Sequence, residues 1–191
     1  MFQQLRIAII LLGSMTLLTG VVYPILVTVV AQIVFPHQAN GSILTTESQG
    51  LGSELIGQPF SRPEYFWGRL SATAPMPYNA ASSSGSNYGP LHPDLAKNAH
   101  GRIDALRLYD AEINHIPVDL VTSSASGLDP QISPAAAEVQ IRRVALARKM
   151  SEDDVRRIVS QHTVGRQFGV LGEPGVNVLA INLTLDQASR K

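Results

Sequence analysis

The side chains best suited to chemistry in this chain are its histidines, lysines and hydroxyl-bearing residues, and their spacing matches no familiar catalytic or metal-binding pattern. The histidines lack the short intervals of common metal sites; they are His37, His92, His100, His115 and His162. No lysine follows a glycine, so the phosphate-binding sequence Gly-Lys-Ser/Thr is absent. Without cysteine there is no disulfide, thiolate metal ligand or thiol nucleophile. We therefore expect no catalytic residue and no metal site in this chain.

A long apolar run near the amino terminus must position everything that follows. Ile7 to Phe35 contains no charged residue. As a helix it would be about 43 Å long, whereas a bilayer core needs about 20 apolar residues. A single segment can satisfy its backbone hydrogen bonds in lipid only as a helix. Residues 1–35 are therefore predicted to be one membrane anchor helix in contact with lipid.

The charges beside this run predict its orientation. Arg6 is the one charged side chain before Glu47, and positive charge next to a first span tends to stay in the cytoplasm. We expect a single-pass protein of the cell inner membrane, with its amino terminus inside and its carboxy-terminal domain extracytoplasmic. A cleaved signal peptide is the alternative, but its apolar core would have about 7–15 residues, roughly half of this run.

Small or special residues recur along the span at intervals of three or four, which places them on one helix face. Small faces let membrane helices approach closely, so this face is predicted to pack against partner helices. The alternative is a lone anchor whose small residues occur by chance. Pro24 lacks an amide donor and is expected to bend the helix. The face comprises Gly13, Thr16, Gly20, Pro24, Thr28 and Ala31.

The remainder is predicted to be a connector, residues 36–58, followed by a single α+β domain, residues 59–191. Helix N-caps at Ser133 and Ser151 predict helices over 135–149 and up to His162. Another helix is predicted from His92 to Ile113, and strands are predicted over 118–122 and 176–185. The net charge is zero, so nothing favours nucleic-acid binding.

Two features of this domain are candidates for partner contact. Aromatic residues cluster between Phe60 and Arg69, where they either pin a loop to the core, form a contact surface or lie on lipid headgroups. Residues 71–93 lack apolar periodicity, so disorder is the first expectation. A functional, folded loop is the alternative, with Gly85 and Gly89 able to supply a positive φ.

Three long segments carry a resemblance to a known family: RPEYFWGRLSATAPMPYNAASSSGSNYGP, VTSSASGLDPQISPAAAEVQIRRVALAR and LGEPGVNVLAINLTLD. Together with the preceding span they resemble the KdpC family, subunits of the bacterial high-affinity potassium pump. The resemblance covers nearly the whole chain. Two loops depart from the family pattern, at Leu70-Ser71 and from Ala80 to Ser84.

The resemblance implies a place in a four-part complex, KdpFABC, with KdpA, KdpB and KdpF as partners. In that complex KdpA selects potassium and the P-type ATPase KdpB hydrolyses ATP, so ATP and K⁺ belong to the complex rather than to this chain. The family is described as stabilising the assembly and as a catalytic chaperone that raises the ATP affinity of KdpB. ATP is cytoplasmic, whereas the predicted domain is outside, so direct contact with ATP stays an open question.

We therefore expect a non-catalytic accessory subunit that caps KdpA near the ion entrance. A membrane-anchored extracytoplasmic enzyme or ligand-binding module remains the alternative. The candidate contact residues in the domain belong to the aromatic cluster and to two polar loops: Arg62, Tyr65, Phe66, Trp67, Arg69, Ser86, Asn87, Gly89, Ser126, Gly127, Leu128 and Asp129.

Overall fold

The structure is a computed structural model that describes residues 2–46 and 49–189. It divides into a helical unit that ends at Ile43 and a larger unit that begins at Leu44. The larger unit combines helices with two small sheets, which confirms the predicted α+β class. The smaller unit contains the predicted N-terminal apolar helix.

The helical unit is dominated by a nearly continuous helix, Phe2–Val34, which in the described part of the chain is the one segment long and apolar enough to cross a membrane. It consists of α1, Phe2–Leu17, a π-helical turn, Leu18–Val22, and α2, Tyr23–Val34. A short helix, α3, Pro36–Ala39, follows. The apolar side chains of the long helix are exposed within the chain itself, as expected for a surface made for lipid or for other helices.

The π-helical turn lies directly before Pro24. The Tyr23 amide donates to the Leu18 carbonyl, five residues back. A proline ring clashes with the carbonyl four residues earlier, here that of Gly20, and cannot donate to it. The widened turn accommodates both defects, since π-bulges relieve the regular hydrogen-bond ladder.

The larger unit has five helices and five short strands in its described residues. The strands β1, Ile43–Thr46, and β2, Gln49–Ser53, form a two-stranded sheet. A second, antiparallel sheet has the order β3-β5-β4 and pairs Ile132 and Thr163 with Val176. Its strands are β3, Gln131–Ile132, β4, Thr163–Val164, and β5, Gly175–Asn177. The helices are α4, Pro93–Tyr109, α5, Val118–Val121, α6, Pro134–Arg148, α7, Glu152–Gln161, and α8, Val178–Ala188.

One hydrophobic core holds this unit together. The last three helices pack against one another and against the three-stranded sheet, and the aromatic segment and α4 cover them. Burial of such side chains contributes roughly 1.5–3 kcal/mol each. The central residues are Phe66, Leu106, Leu120, Ile141, Val144, Val155, Val176, Ile181 and Leu185.

Two helices begin where their capping residues predicted. The Ser133 hydroxyl accepts from the Ala136 amide (3.0 Å), and the Ser151 hydroxyl accepts from the Asp154 amide (3.1 Å). These bonds satisfy amides that the first helical turn leaves without a partner. The helix that follows His92 is also confirmed, although it ends at Tyr109 rather than Ile113.

The strand predicted over 118–122 is wrong, and the strand predicted over 176–185 is correct only for residues 176–177. Residues 118–121 form the one-turn helix α5, whose Asp119 carboxylate accepts from the Ser133 amide (2.8 Å). The run after Asn177 is helix α8 rather than a strand, because the Asn177 side chain caps it by accepting from the Ala180 amide (3.0 Å).

Candidate functional site

Arg69 joins two of the segments predicted to make contacts. Its Nη1 donates to Asp129 Oδ2 (3.0 Å) and its Nη2 to the Ser123 carbonyl (3.3 Å). Both side chains of the Arg69–Asp129 ion pair are less than a third exposed, so water screens the pair only partly. The pair ties the aromatic segment to the loop that precedes β3.

The hydroxyl groups of Ser71 and Thr73 organise the long polar loop around this pair. Ser71 Oγ donates to the Gly127 carbonyl (2.7 Å) and accepts from the Tyr78 amide (2.9 Å). Thr73 Oγ1 donates to the Met76 carbonyl (2.7 Å) and accepts from the Asn79 amide (3.0 Å). The expectation of disorder is wrong for this part of the loop, because fixed hydrogen bonds replace the missing apolar pattern.

The loops approach so closely that two positions tolerate only glycine. A Cβ on Gly127, which has φ +68°, would lie 2.6 Å from the Ser84 carbonyl oxygen. A Cβ on Gly85 would lie 2.7 Å from the Ala125 carbonyl oxygen. We call the packed set of residues 69–73, 84–85 and 123–129 the loop junction.

The other loop residues predicted to make contacts lie in the junction or close to it in sequence. The positive φ expected at Gly85 or Gly89 is found at Asn87 instead (53°), consistent with the tolerance of asparagine for this region. The Gly89 carbonyl accepts from the His92 amide (3.0 Å) just before α4. Ser126 Oγ accepts from the Leu128 amide (3.1 Å), which stiffens the loop from within.

The centre of the aromatic segment is held inside the domain by two buried amides. Asn182 Oδ1 accepts from the Phe66 amide (2.8 Å), and Asn182 Nδ2 donates to the Phe66 carbonyl (3.0 Å). Gln140 makes the same pair of bonds with the amide and carbonyl of Trp67 (2.9 and 3.2 Å). Each side chain replaces the neighbouring strand that this extended segment lacks, so all four backbone groups are satisfied.

Trp67 is packed between two arginines. The Arg102 guanidinium lies 4.7 Å from the indole centroid and that of Arg143 lies 4.5 Å from it, within the range of cation–π attraction. Burial lowers the pKa of both arginines to about 10, and Arg102 adds to the shift of Arg143. Both guanidinium groups remain charged at neutral pH.

Phe66 and Trp67 are 0% and 3% exposed, which confirms the interpretation that the segment pins a loop to the core. As core side chains they do not form an exposed contact surface or rest on lipid. Tyr65 is half-buried, and its hydroxyl donates to Asp186 Oδ2 (3.2 Å), while Arg62 stays exposed with its guanidinium 4.9 Å from the Tyr65 ring centroid.

This fold and these contacts can be set beside known proteins. The profile of one family, described as "KdpC: K+-transporting ATPase, c chain", matches residues 5–187. The chain belongs to the KdpC family. The potassium-transporting ATPase KdpC subunit of Herpetosiphon aurantiacus is 62% identical over 90% of this chain and 90% of its own length. Those of Burkholderia mallei and Burkholderia vietnamiensis are 57% and 58% identical over at least 96% of both chains.

The small-residue face of the anchor helix is exposed within the chain. A side chain at Gly13 or Gly20 would meet no heavy atom within 4 Å. The other members of the small-residue face are also exposed or half-buried within the chain. Partner packing at this face stays a prediction.

Among the described residues, one hydroxyl group lies within hydrogen-bond distance of a histidine ring. Thr184 Oγ1 lies 2.8 Å from His162 Nε2, and burial lowers the pKa of this imidazole. Thr184 also donates to the Ala180 carbonyl of its own helix (3.1 Å). Nucleophilic catalysis needs a third group that orients the base, and in the described part of the chain no carboxylate bonds to His162. Among the same residues no cluster of three or more metal-ligating side chains occurs.

The polar residues that organise the site were missed from the sequence. Gln140 lies four residues before Val144, on the buried face of α6, and a polar residue there was the available signal. The strand predicted over residues 176–185 gives no indication that the Asn182 side chain is buried and bonded to another segment. The sequence places Arg143 in a basic run that is typical of a solvated helix face, whereas its side chain is buried. Nothing local in the sequence reveals that Arg102 and Arg143 both lie against Trp67.

Proposed function

We propose that this chain is a non-catalytic accessory subunit of an ATP-driven potassium uptake system, needed for assembly and stability of the complex. The observation that carries the proposal is the match to the KdpC family across the anchor helix and the domain together. A relative that shared only the domain would leave the membrane role open, whereas the family match begins at residue 5 and so includes the long apolar helix.

The domain is proposed to lie on the extracytoplasmic side of the membrane, as a cap beside the ion entrance of KdpA. The sparse positive charge at the amino terminus supports this orientation. A rigid cap suits the observed construction, in which buried amides, arginines and loop hydrogen bonds fix the surface. Rigid surfaces bind without a large ordering cost.

Any effect of this subunit on ATP affinity is proposed to act through conformation. A subunit changes the affinity at a distant site only if it contacts two states of the pump differently. The role of catalytic chaperone for KdpB would then need no direct contact with ATP. It requires instead that the cap bind one pump state more tightly.

The proposal is tested by expressing the chain with its natural neighbours and purifying through a tag on this subunit. We expect KdpA, KdpB and KdpF to co-purify with potassium-stimulated ATP hydrolysis. Omitting this chain should leave KdpA and KdpB poorly associated. Recovery of a complete and active pump without it would contradict the proposal, as would turnover of a small substrate by the chain alone.

The small-residue face gives a sharper test of assembly. Gly13→Leu should lower the yield of complex several-fold, because a bulky side chain keeps a partner helix away. Ala8→Leu is the matched control, since Ala8 is also exposed on α1 and five residues from Gly13 points to a different face. Equal yields of both variants, measured by subunit ratios after purification, would exclude this face as the docking surface.

A further inference from the structure

A cleft of about 750 Å³ opens between α4 and the polar loops. Residues 70–73 form one wall, the exposed side of α4 forms another, and the ring of Tyr88, stacked on His92 at 4.4 Å, stands at the rim. Its size falls within the range of ligand-binding clefts. The side chains that matter here are Ser86, Tyr88, Lys97, Asn98, Arg102 and Ser123.

The cleft carries positive charge without an acidic residue. Lys97 and Arg102 line it, and none of its described lining residues is Asp or Glu. Arg102 donates to the main-chain carbonyls of Leu120 (3.2 Å) and Gly68 (2.6 Å), and in the described part of the chain it has no carboxylate partner. The Trp67 ring lies against this guanidinium, but a buried charge is normally balanced by an opposite one, and an external anion could supply it.

Several donors in the cleft are also unused. Within the described residues, the side chains of Ser86, Lys97 and Asn98 make no hydrogen bond, and Lys97 and Asn98 are exposed. An ammonium, an amide and a hydroxyl around an open cleft match the acceptors of a carboxylate. Ser71 and Thr73, in the wall of the same cleft, differ in that their hydroxyl groups are bonded within the chain.

We propose that this cleft receives an acidic side chain from a loop of another subunit of the same pump. The inference rests on the proposed function, which supplies the partner, and it deepens that function by naming the surface and the partner chemistry. Charge complementarity of this kind fixes the register of an interface and steers association. Ser86, predicted from the sequence as a contact residue, lies in the cleft wall.

Zero-length carbodiimide cross-linking of the purified complex tests the pairing directly, since the reagent joins a lysine amine only to a carboxylate in contact with it. The chain has three lysines, Lys97, Lys149 and Lys191, so the linked peptides are easily assigned by mass spectrometry. We expect Lys97 to be joined to an Asp or Glu of another subunit. In Lys97→Arg the positive charge stays but the reactive amine is gone, and this cross-link should disappear.

Charge reversal measures how much the pairing contributes. Lys97→Glu should lower the yield of complex at least tenfold, whereas Lys149→Glu, the same charge change at an exposed position outside the cleft, should not. An intact complex with no cross-link from Lys97 to another subunit overturns the proposal. So does a phosphate-bearing lipid that co-purifies and is lost in Lys97→Glu without any such cross-link, because the cleft would then bind lipid. Failure of all subunits to co-purify would instead reject the proposed function itself.

Discussion

Replacing Asn182 with leucine should destabilise the domain by about 2–6 kcal/mol. Leucine has a similar size but cannot pair with the amide and carbonyl of Phe66, which are bound to Asn182 at 2.8 and 3.0 Å. Each buried polar group left without a partner costs about 1–3 kcal/mol. The free energy of unfolding of a whole domain is only about 5–15 kcal/mol, so this single change should remove much of it.

The measurement is thermal or denaturant unfolding of the full chain in detergent, followed by tryptophan fluorescence. Trp67 is the one tryptophan of the sequence and lies next to the affected residue. Asn114→Leu is the control, because Asn114 is exposed and makes no side-chain hydrogen bond within the described residues. An Asn182→Leu protein that unfolds at the same midpoint as Asn114→Leu would show that the two hydrogen bonds between Asn182 and Phe66 do not hold the aromatic segment.

Gly127→Ala should disrupt the loop junction by two separate mechanisms. The backbone has φ +68°, a conformation that costs a side chain roughly 1–3 kcal/mol. The new Cβ would also lie 2.6 Å from the Ser84 carbonyl oxygen and 2.5 Å from Thr73 Cγ2. We therefore expect a clear loss of thermal stability and faster protease cleavage within residues 71–93.

Two other glycines separate these mechanisms. Gly172 has φ +76° but open space around its Cβ position, so Gly172→Ala carries the backbone strain alone. Gly165 has neither feature, so Gly165→Ala should be close to neutral. If Gly127→Ala loses no more stability than Gly172→Ala, the close approach of the loops is not what holds the junction.

Helices whose start is marked by a capping residue were predicted correctly from the sequence. Ser133 and Ser151 begin α6 and α7 because capping depends on residues within one turn. The anchor helix was predictable for a similar reason, since a long uncharged apolar segment can satisfy its backbone hydrogen bonds in lipid only as a helix. The family resemblance was confirmed over almost the whole chain.

Features that depend on distant contacts were not predictable. Residues 178–185 are rich in apolar residues and fit a strand, and their helix is decided by the Asn177 cap together with burial of Ile181 and Leu185 against the core. The loop of residues 71–93 has a composition typical of disorder. Its local hydrogen bonds are joined by contacts with residues more than forty positions away, such as Ser83 with Ser126.

The candidate site was predicted only in part, because it too depends on contacts between distant residues. Arg69 and Asp129 were both proposed from the sequence, but only folding brings them within 3.0 Å of each other. Trp67 was proposed as a contact and is instead a core residue, because Gln140 and Asn182 draw the segment inward across more than seventy positions. Partner contacts involve other chains, so no intrachain pattern could specify them.

Protease accessibility tests directly whether the domain lies on the extracytoplasmic side of the membrane. Right-side-out spheroplasts and inverted membrane vesicles that contain the assembled pump would be treated with protease, and an antibody against the domain would follow its cleavage. An extracytoplasmic domain should be cleaved in spheroplasts and protected in inverted vesicles. Protection in spheroplasts with cleavage in inverted vesicles would place the domain in the cytoplasm and contradict its role as a cap at the ion entrance.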